Sequence, residues 1–139
     1  MGSTKQITAK TKTMRIEELS VGDWVKFESD PYVVDKIGLG EYTEIVSLTT
    51  AKEKLVMLSD IDPIPITPEI LDRNGLWVVE EDTNFTEYEL FGSENFSIFH
   101  TKGTLRYRLE TPQASVVCWF VHQLQHALRL AEVEKEIVL

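Results

Sequence analysis

The sequence predicts a mainly β fold with an α+β second half, in which an SH3-like small β-barrel precedes a β-β-β-β-α(-β) lobe. Three observations support this fold class. Short runs rich in β-branched and aromatic residues recur at about ten-residue spacing, with turn residues between them. A proline-rich segment interrupts these runs near the middle of the chain. The last third of the chain contains apolar residues at helical spacing.

Residues 14–66 alternate turn signals with β-rich runs and predict the first lobe. Turn residues stand at 20–23 and 28–31. The β-rich runs cover residues 24–27, 32–37, 42–48 and 54–58. Four or five strands of this size protect their edges better in a small closed or half-open barrel than in an open sheet. We therefore predict an SH3-like barrel, with Gly38 and Gly40 ending its second strand.

A short connecting helix is predicted at residues 67–75, between the two lobes. Thr67 is suited to the N-cap, Pro68 to the first helical position and Glu69 to the positive end of the helix dipole. Asn74-Gly75 ends the helix after about two turns, because glycine accepts the left-handed backbone conformation of a C-terminal cap. The capping signals account for this segment, so we interpret it as a connector.

Residues 76–139 predict the second lobe, an α+β unit with one dry sheet face. Its predicted strands cover residues 76–80, 85–91, 96–101 and 104–110. The last two strands are joined across Lys102-Gly103, a hairpin signal. Apolar and charged residues alternate from 105 to 110, which makes one face of that strand apolar. The C-terminal helix is the expected cover for this face, and residues 135–139 are long enough for a closing strand.

An amphipathic helix is predicted from Val116 to Ala131. Placing residues about 100° apart gathers the apolar ones into a single stripe that we assign to the core. This stripe consists of Val117, Phe120, Val121, Leu124, Ala127, Leu128 and Ala131. The opposite stripe consists of Cys118, Trp119, His122, His126 and Arg129. The second stripe is the richest set of functional side chains in the sequence.

His122 and His126 have the spacing of the two zinc ligands in an H-E-x-x-H helix. Here Gln123 follows the first histidine, and its neutral amide cannot take a proton from zinc-bound water. On one helix, Cys118 would lie about 12 Å along the axis from His126, too far to share one ion. His100 is the remaining histidine, and the spacing does not bring it to the pair. We predict no metal and no cofactor, and keep a zinc-dependent hydrolase with an incomplete site as an alternative.

Trp119, His122, His126 and Arg129 are instead predicted to form a binding surface. Tryptophan and arginine are enriched where proteins bind their partners. The surface would pack against the first lobe, associate with a second copy of the chain, or bind an external protein partner. These possibilities stay open at the level of sequence.

A small anionic ligand is the second possibility considered. His100, Arg106 and Arg108 lie close together in the sequence of the second lobe and are candidate anion ligands. The arginines are equally suited to balancing nearby glutamates. The acidic residues at 80–82, and Glu87 with Glu89, resemble paired catalytic carboxylates, but such residues are common on the wet face of a strand.

Composition excludes several functions and suggests a compartment. The net charge of -9 argues against nucleic acid and against acidic membranes as partners. Cys118 is the single cysteine, so no internal disulfide is expected. No apolar run approaches the roughly 20 residues that span a bilayer, and no signal-peptide core is present, which predicts a soluble cytoplasmic protein. Residues 1–13, polar and rich in Thr and Lys, are predicted to be a flexible arm.

Three sequence blocks resemble a family of small uncharacterised proteins from gut Bacteroidetes and their phages or prophages. The blocks are residues 19–25 (LSVGDWV), residues 64–71 (IPITPEIL) followed by Asn74-Gly75, and residues 121–125 (VHQLQ). The resemblance implies a phage or mobile-element setting and a host-cell cytoplasmic location, and it transfers no activity. The predicted function is therefore a non-enzymatic interaction protein. The alternatives are a protein that sequesters a nucleotide-like anion of host signalling, and the zinc-dependent hydrolase.

Overall fold

The computed structural model describes residues 16–37, 42–46, 53–90 and 95–139. The predicted arm at residues 1–13 and the predicted glycine turn at 38–40 lie outside these residues. The chain divides into two compact units, Met1–Ile64 and Pro65–Leu139. Two antiparallel sheets and two α-helices within the described ranges make the fold mainly β and α+β in class, as predicted.

The first unit contains one five-stranded antiparallel sheet in the order β4-β3-β2-β1-β5. Its strands are β1 (Trp24–Phe27), β2 (Asp30–Ile37), β3 (Tyr42–Val46), β4 (Glu53–Met57) and β5 (Ile61–Asp62). A 3₁₀ turn at Leu58–Asp60 directly precedes β5, which returns to pair with β1. Among the described strands nothing pairs β4 with β5, so the sheet is open and the closed form of the predicted SH3-like barrel is not observed.

One face of this sheet holds the core of the first unit. The buried residues that form it are Leu19, Val25, Tyr32, Val34, Val56 and Ile61. The predicted turn before β1 is confirmed: Ser20 N donates a hydrogen bond to Asp23 Oδ2 at 2.8 Å. Gly22 has a φ of 96°, a left-handed conformation that favours glycine, and its N–H donates to the Val34 carbonyl at 2.8 Å.

The predicted connecting helix is observed as α1 (Pro68–Arg73). The Thr67 hydroxyl accepts a hydrogen bond from Ile70 N at 3.2 Å, which confirms the N-cap. Gly75 has a φ of 83° and ends the helix in the left-handed region. Leu71 is fully buried, so this short helix is anchored in the core of the second unit.

The second unit contains the other five-stranded antiparallel sheet, in the order β10-β9-β8-β7-β6. Its strands are β6 (Leu76–Glu81), β7 (Phe85–Leu90), β8 (Ser97–Thr101), β9 (Tyr107–Glu110) and β10 (Ser115–Cys118). The first four were predicted, although β9 begins at Tyr107 and not at Thr104. Thr104 belongs to the preceding turn, because its hydroxyl donates to the Thr101 carbonyl at 2.7 Å and accepts from Arg106 N at 3.0 Å.

The two faces of this second sheet differ in burial, as the alternation from 105 to 110 predicted. We call inner face the one that carries the buried residues Tyr88, Ile98, Tyr107, Leu109 and Cys118. We call outer face the opposite one, which carries Trp77, Phe85, Glu87, Glu89, Phe99 and Arg108. Leu105 precedes the strand and is exposed, so it does not belong to the dry face.

The predicted helix over residues 116–131 was wrong in its first turns. The residues Ser115–Cys118 form β10 and pair with β9, and the helix α2 spans only Val121–Leu130. Adjacent β-branched Val116 and Val117 favour extended backbone. A turn at residues 111–114, in which Thr111 N donates to the Ala114 carbonyl at 2.9 Å, then folds β10 back on β9.

Backbone contacts of residues 119–120 determine where α2 begins. The Trp119 carbonyl accepts a hydrogen bond from Ile66 N at 3.0 Å, and Phe120 forms an isolated antiparallel bridge with Pro65. Extended backbone at these positions prevents the helix from starting earlier. The apolar stripe is otherwise confirmed over the true helix, with Val121, Leu124, Ala127 and Leu128 buried.

The predicted closing strand at residues 135–139 does not form. Residues 133–139 have no regular structure, although Ile137 is buried. This tail is held by the Asn74 side chain, whose Oδ1 accepts from Val138 N at 2.7 Å and whose Nδ2 donates to the Val138 carbonyl at 2.8 Å. A side-chain amide therefore replaces the neighbouring strand that the tail would need.

Candidate functional site

Gln123, which stands where a zinc protease has its general base, caps the start of α2. Its Oε1 accepts a hydrogen bond from Trp119 N at 2.8 Å and from Phe120 N at 3.2 Å. Phe120 is the N-cap, whose N–H has no intrahelical partner, and Trp119 directly precedes it. The residue after the first histidine thus has a structural role in the local fold.

The two histidines of the box differ in environment. His122 is 1% exposed, whereas His126 is half-buried. The His122 ring stacks on the Phe120 ring with centroids 6.1 Å apart, and it meets the His126 ring edge to face at 5.8 Å. The sequence placed both histidines on the stripe opposite the apolar one, open to solvent or packed against a neighbour, and of the two His122 is the buried one. Within the described ranges, no three His, Cys, Asp or Glu side chains are grouped so as to hold a metal ion.

Trp119 and Arg129 are the members of the predicted helical surface that reach solvent. Trp119 is 43% exposed and Arg129 is exposed near the end of α2. Cys118, the fifth residue of the predicted stripe, is instead buried on the inner face as part of β10. Burial raises the pKa of its thiol to about 12, which suppresses the reactive thiolate.

The three candidate anion ligands do not converge. The His100 ring stacks on Tyr107 at 4.3 Å on the inner face, and its Nε2 lies 2.9 Å from the Thr104 carbonyl oxygen. Arg108 lies on the outer face, since its neighbours Tyr107 and Leu109 point inward. Arg106 is exposed before β9 begins. The sheet therefore places His100 and Arg108 on opposite sides.

Aromatic side chains on the outer face form a surface that sequence reasoning missed. Trp77 on the edge strand β6 is 54% exposed, and Phe85 on β7 is 37% exposed. Phe85 packs edge to face on Phe99, with ring centroids 5.7 Å apart. The alternation of Glu87 and Glu89 with Tyr88 and Leu90 was a usable sequence signal, because it assigns the odd-numbered residues of β7, Phe85 included, to the wet face.

A guanidinium held by an aromatic ring and a carboxylate lies at the centre of the outer face. The Arg108 guanidinium carbon lies 5.3 Å from the centroid of the Phe99 ring, a cation–π geometry. Arg108 Nε lies 2.6 Å from Glu110 Oε2. Glu87 stands directly opposite Phe99 on the neighbouring strand. The outer face thus combines aromatic rings with carboxylates.

A second aromatic–carboxylate pair lies at the β6 edge of the outer face. Trp77 is paired with Glu89 in the antiparallel register, so their side chains are direct cross-strand neighbours. Further along, Glu80 is paired with Glu87 beyond a β-bulge. Like charges directly opposite each other destabilise a sheet, which makes this end of the outer face attractive to a cation.

Two of the three acidic residues at 80–82, Glu81 and Asp82, have structural roles. Glu81 pairs with Lys102, Oε2 to Nζ at 2.8 Å, and this contact holds the pKa of Glu81 below its ordinary value. Asp82 Oδ1 accepts hydrogen bonds from Phe85 N at 2.9 Å and Asn84 N at 2.7 Å, which lower the pKa of Asp82. The Asp82 contacts build the turn between β6 and β7, and the Glu81 contact joins the end of β6 to the turn that follows β8.

Described residues of the second unit line at least two cavities on its surface. One of about 370 Å³ lies between α2 and the end of the sheet and is lined by Leu109, Val116, Ala127 and Leu130 among others. The other, of about 250 Å³, is lined by Phe99, Glu110 and neighbouring loop residues. No histidine or arginine lines either cavity, so neither offers the basic groups that an anionic ligand needs.

Comparison with known proteins gives no match to any protein-family model and no significant match to any curated protein. In the described part of the chain, no helix has the length and apolar character that crossing a bilayer requires.

Proposed function

We propose that this chain is a non-enzymatic interaction protein whose binding surface is the outer face of the second sheet. The observation that carries the proposal is the exposure of Trp77 and Phe85 on the face opposite the one that carries the buried residues Tyr88, Ile98, Tyr107 and Leu109. Exposed aromatic groups of this size are costly in water and are typical of surfaces that bind partners. The exposed helical residues Trp119 and Arg129 form the alternative surface, against which the outer face is tested.

The setting proposed for this interaction is a phage or mobile element acting in the cytoplasm of a gut Bacteroidetes host. The resemblance of the three sequence blocks supports it. We also propose that the first unit is an SH3-like fold. The return of β5 to β1 and the 3₁₀ turn at Leu58–Asp60 support this assignment, because a five-strand meander whose last strand rejoins the first has that topology.

Affinity capture from a gut Bacteroidetes lysate, followed by calorimetry with the purified partner, tests the proposed surface. The Trp77→Ala/Phe85→Ala variant is expected to lose the partner, with affinity reduced more than tenfold as for central aromatic contacts. The Trp119→Ala/Arg129→Ala variant serves as the comparison and is expected to bind within about threefold of the wild type.

Other results of the same experiment would reject the outer face. A partner lost by the helical variant and kept by the sheet variant would assign binding to α2. A partner kept by both variants, or no saturable partner at all, would contradict the proposal. Circular dichroism of each variant checks that both remain folded, as expected for substitutions of exposed residues.

A further inference from the structure

We propose that the outer face recognises an arginine-containing basic segment of a protein partner, with Trp77 and Glu89 receiving the guanidinium group. This inference rests on the proposed function and names the chemistry of its partner. The Trp77–Glu89 pair combines a half-exposed indole with a carboxylate at a direct cross-strand position.

The chain itself displays the recognition chemistry on the same face. Arg108 stacks over Phe99 at 5.3 Å and pairs with Glu110 at 2.6 Å, so an aromatic ring and a carboxylate together hold one guanidinium. Trp77 with Glu89 repeats the combination of ring and carboxylate. Tryptophan is the strongest cation–π acceptor among side chains, which makes this pair at least as suitable for a cation as Phe99 with Glu110.

Charge complementarity supports a basic partner over an acidic or apolar one. Glu80, Glu87 and Glu89 all lie on the outer face near Trp77, and Glu80 opposes Glu87 directly. The only cationic residue in the cross-strand row through Phe99 is Arg108, which is engaged with Glu110. A positive segment crossing this face would relieve the repulsion of the opposed carboxylates.

Arginine is favoured over lysine because the site offers a flat ring and a carboxylate together. The guanidinium is planar, stacks on aromatic faces and presents a fork of N–H donors that matches a carboxylate. The ammonium group of lysine matches only the charge of the carboxylate. A segment with spaced arginines would place one at Trp77 and Glu89 and another near Glu80 and Glu87.

Fluorescence anisotropy with a labelled alternating Gly-Arg peptide tests the inference on the full chain. The matched probe is a Gly-citrulline peptide, which keeps the shape of the side chain and removes its charge. We expect saturable binding of the first probe and at least tenfold weaker binding of the second, at ionic strength of about 0.15 M where surface charges are screened beyond about 8 Å.

Variants identify the residues that bind the probe. Trp77→Leu is expected to weaken binding of the Gly-Arg peptide about five- to tenfold through the lost cation–π contact, and Trp77→Phe should retain part of it. Glu89→Gln is expected to weaken binding severalfold. Glu134→Gln removes one exposed charge elsewhere and Leu130→Ala one exposed apolar side chain; both should bind within about twofold of the wild type.

Two results would overturn the inference. Equal losses in Glu89→Gln and Glu134→Gln would show that the acidic protein attracts any polycation, and absence of saturable binding would exclude the site. Either result leaves the proposed function separately testable, because a captured partner that needs Trp77 and Phe85 but competes with no arginine peptide would support the surface and reject this chemistry. If no partner is captured while the Gly-Arg peptide binds and needs Trp77 and Glu89, the chemistry is supported and the proposed function is rejected.

Discussion

Asn74 at the end of α1 binds Val138 near the C-terminus through both atoms of its side-chain amide. The two hydrogen bonds measure 2.7 and 2.8 Å and join residues 64 positions apart in the chain. The same amide Nδ2 donates to the Ile70 carbonyl at 2.8 Å, one of the carbonyls near the C-terminal end of the helix. Asn74 is 1% exposed, so its side-chain amide is out of water and depends on these partners.

Replacing Asn74 by alanine should destabilise the protein by about 2–4 kcal/mol, because buried backbone groups lose their partners. Urea unfolding followed by circular dichroism measures the change. Deletion of residues 137–139 should cost a comparable amount, since it removes buried Ile137 and the Val138 contacts. The combined variant should lose less stability than the sum of the two single losses. A loss equal to that sum would mean that the amide and the tail act independently.

Gln123→Ala should lower the free energy of unfolding by about 1 kcal/mol, the usual cost of a lost helix cap. Gln123→Glu should retain stability, because a carboxylate accepts the same two backbone hydrogen bonds and favours the positive end of the helix dipole. Thermal melts at neutral pH provide the comparison. Alanine and glutamate variants of equal stability would disprove the capping role.

Cys118 should make stability fall at alkaline pH. Its thiol ionises at an ordinary pKa of 9.0 when exposed, and burial raises that pKa to about 12. Between these values the unfolded chain has lost the proton and the folded chain keeps it, so rising pH favours unfolding. For one such group, the free energy of unfolding falls by about 1.4 kcal/mol per pH unit in this range. Burial also raises the pKa of Tyr107, which adds to the loss in the same direction.

Urea midpoints measured from pH 8 to pH 11 check this alkaline slope. Cys118→Ala should be less stable at pH 8 because of the cavity it leaves, yet its stability should fall less steeply above pH 9. A parallel pH dependence in the wild type and the variant would remove Cys118 as the cause. Thiol-labelling reagents should likewise modify the native protein only as fast as it unfolds.

Asp82→Ala should lower the melting temperature, because the turn between β6 and β7 loses both hydrogen bonds to the carboxylate. Those bonds hold the pKa of Asp82 below its ordinary value of 3.8. Their contribution to folding stability is therefore complete above pH 3.8, and it disappears as the pH falls through the lowered pKa. The difference between wild type and variant should therefore shrink in acid. Melting curves at pH 7 and pH 2.5 test this, and a difference that persists unchanged in acid would contradict it.

Local chemistry explains which parts of the fold could be predicted from sequence. The capping residues Thr67 and Gly75 act within one or two turns of helix, and the alternation from 105 to 110 reports the face of a single strand. The early part of the predicted helix failed because Val117 fits either the apolar helix stripe or a strand, and Val116 beside it is equally compatible with a strand. Pairing with β9, a tertiary contact, decided between them.

The residues of the candidate surface were likewise predicted only in part from the sequence. His122 and His126 were recognised by spacing, but spacing on a helix does not tell which residue a neighbouring aromatic ring will bury. The sequence assigned Trp77 to a strand but not to one face of the sheet, because that face is defined only when β6 pairs with β7. The outer face can be recognised as a candidate site only in the five-stranded sheet, which places its residues side by side.

The sequence by itself determined the α+β class, the position of α1 and most strand positions, because caps, turns and alternation depend on near neighbours. Tertiary structure decided that Gln123 caps α2, that His122 is buried, and that Asn74 holds the C-terminal tail. It also decided that Trp77 lies beside Glu89. These features depend on which segments meet, and that depends on the burial and hydrogen bonding of the whole unit.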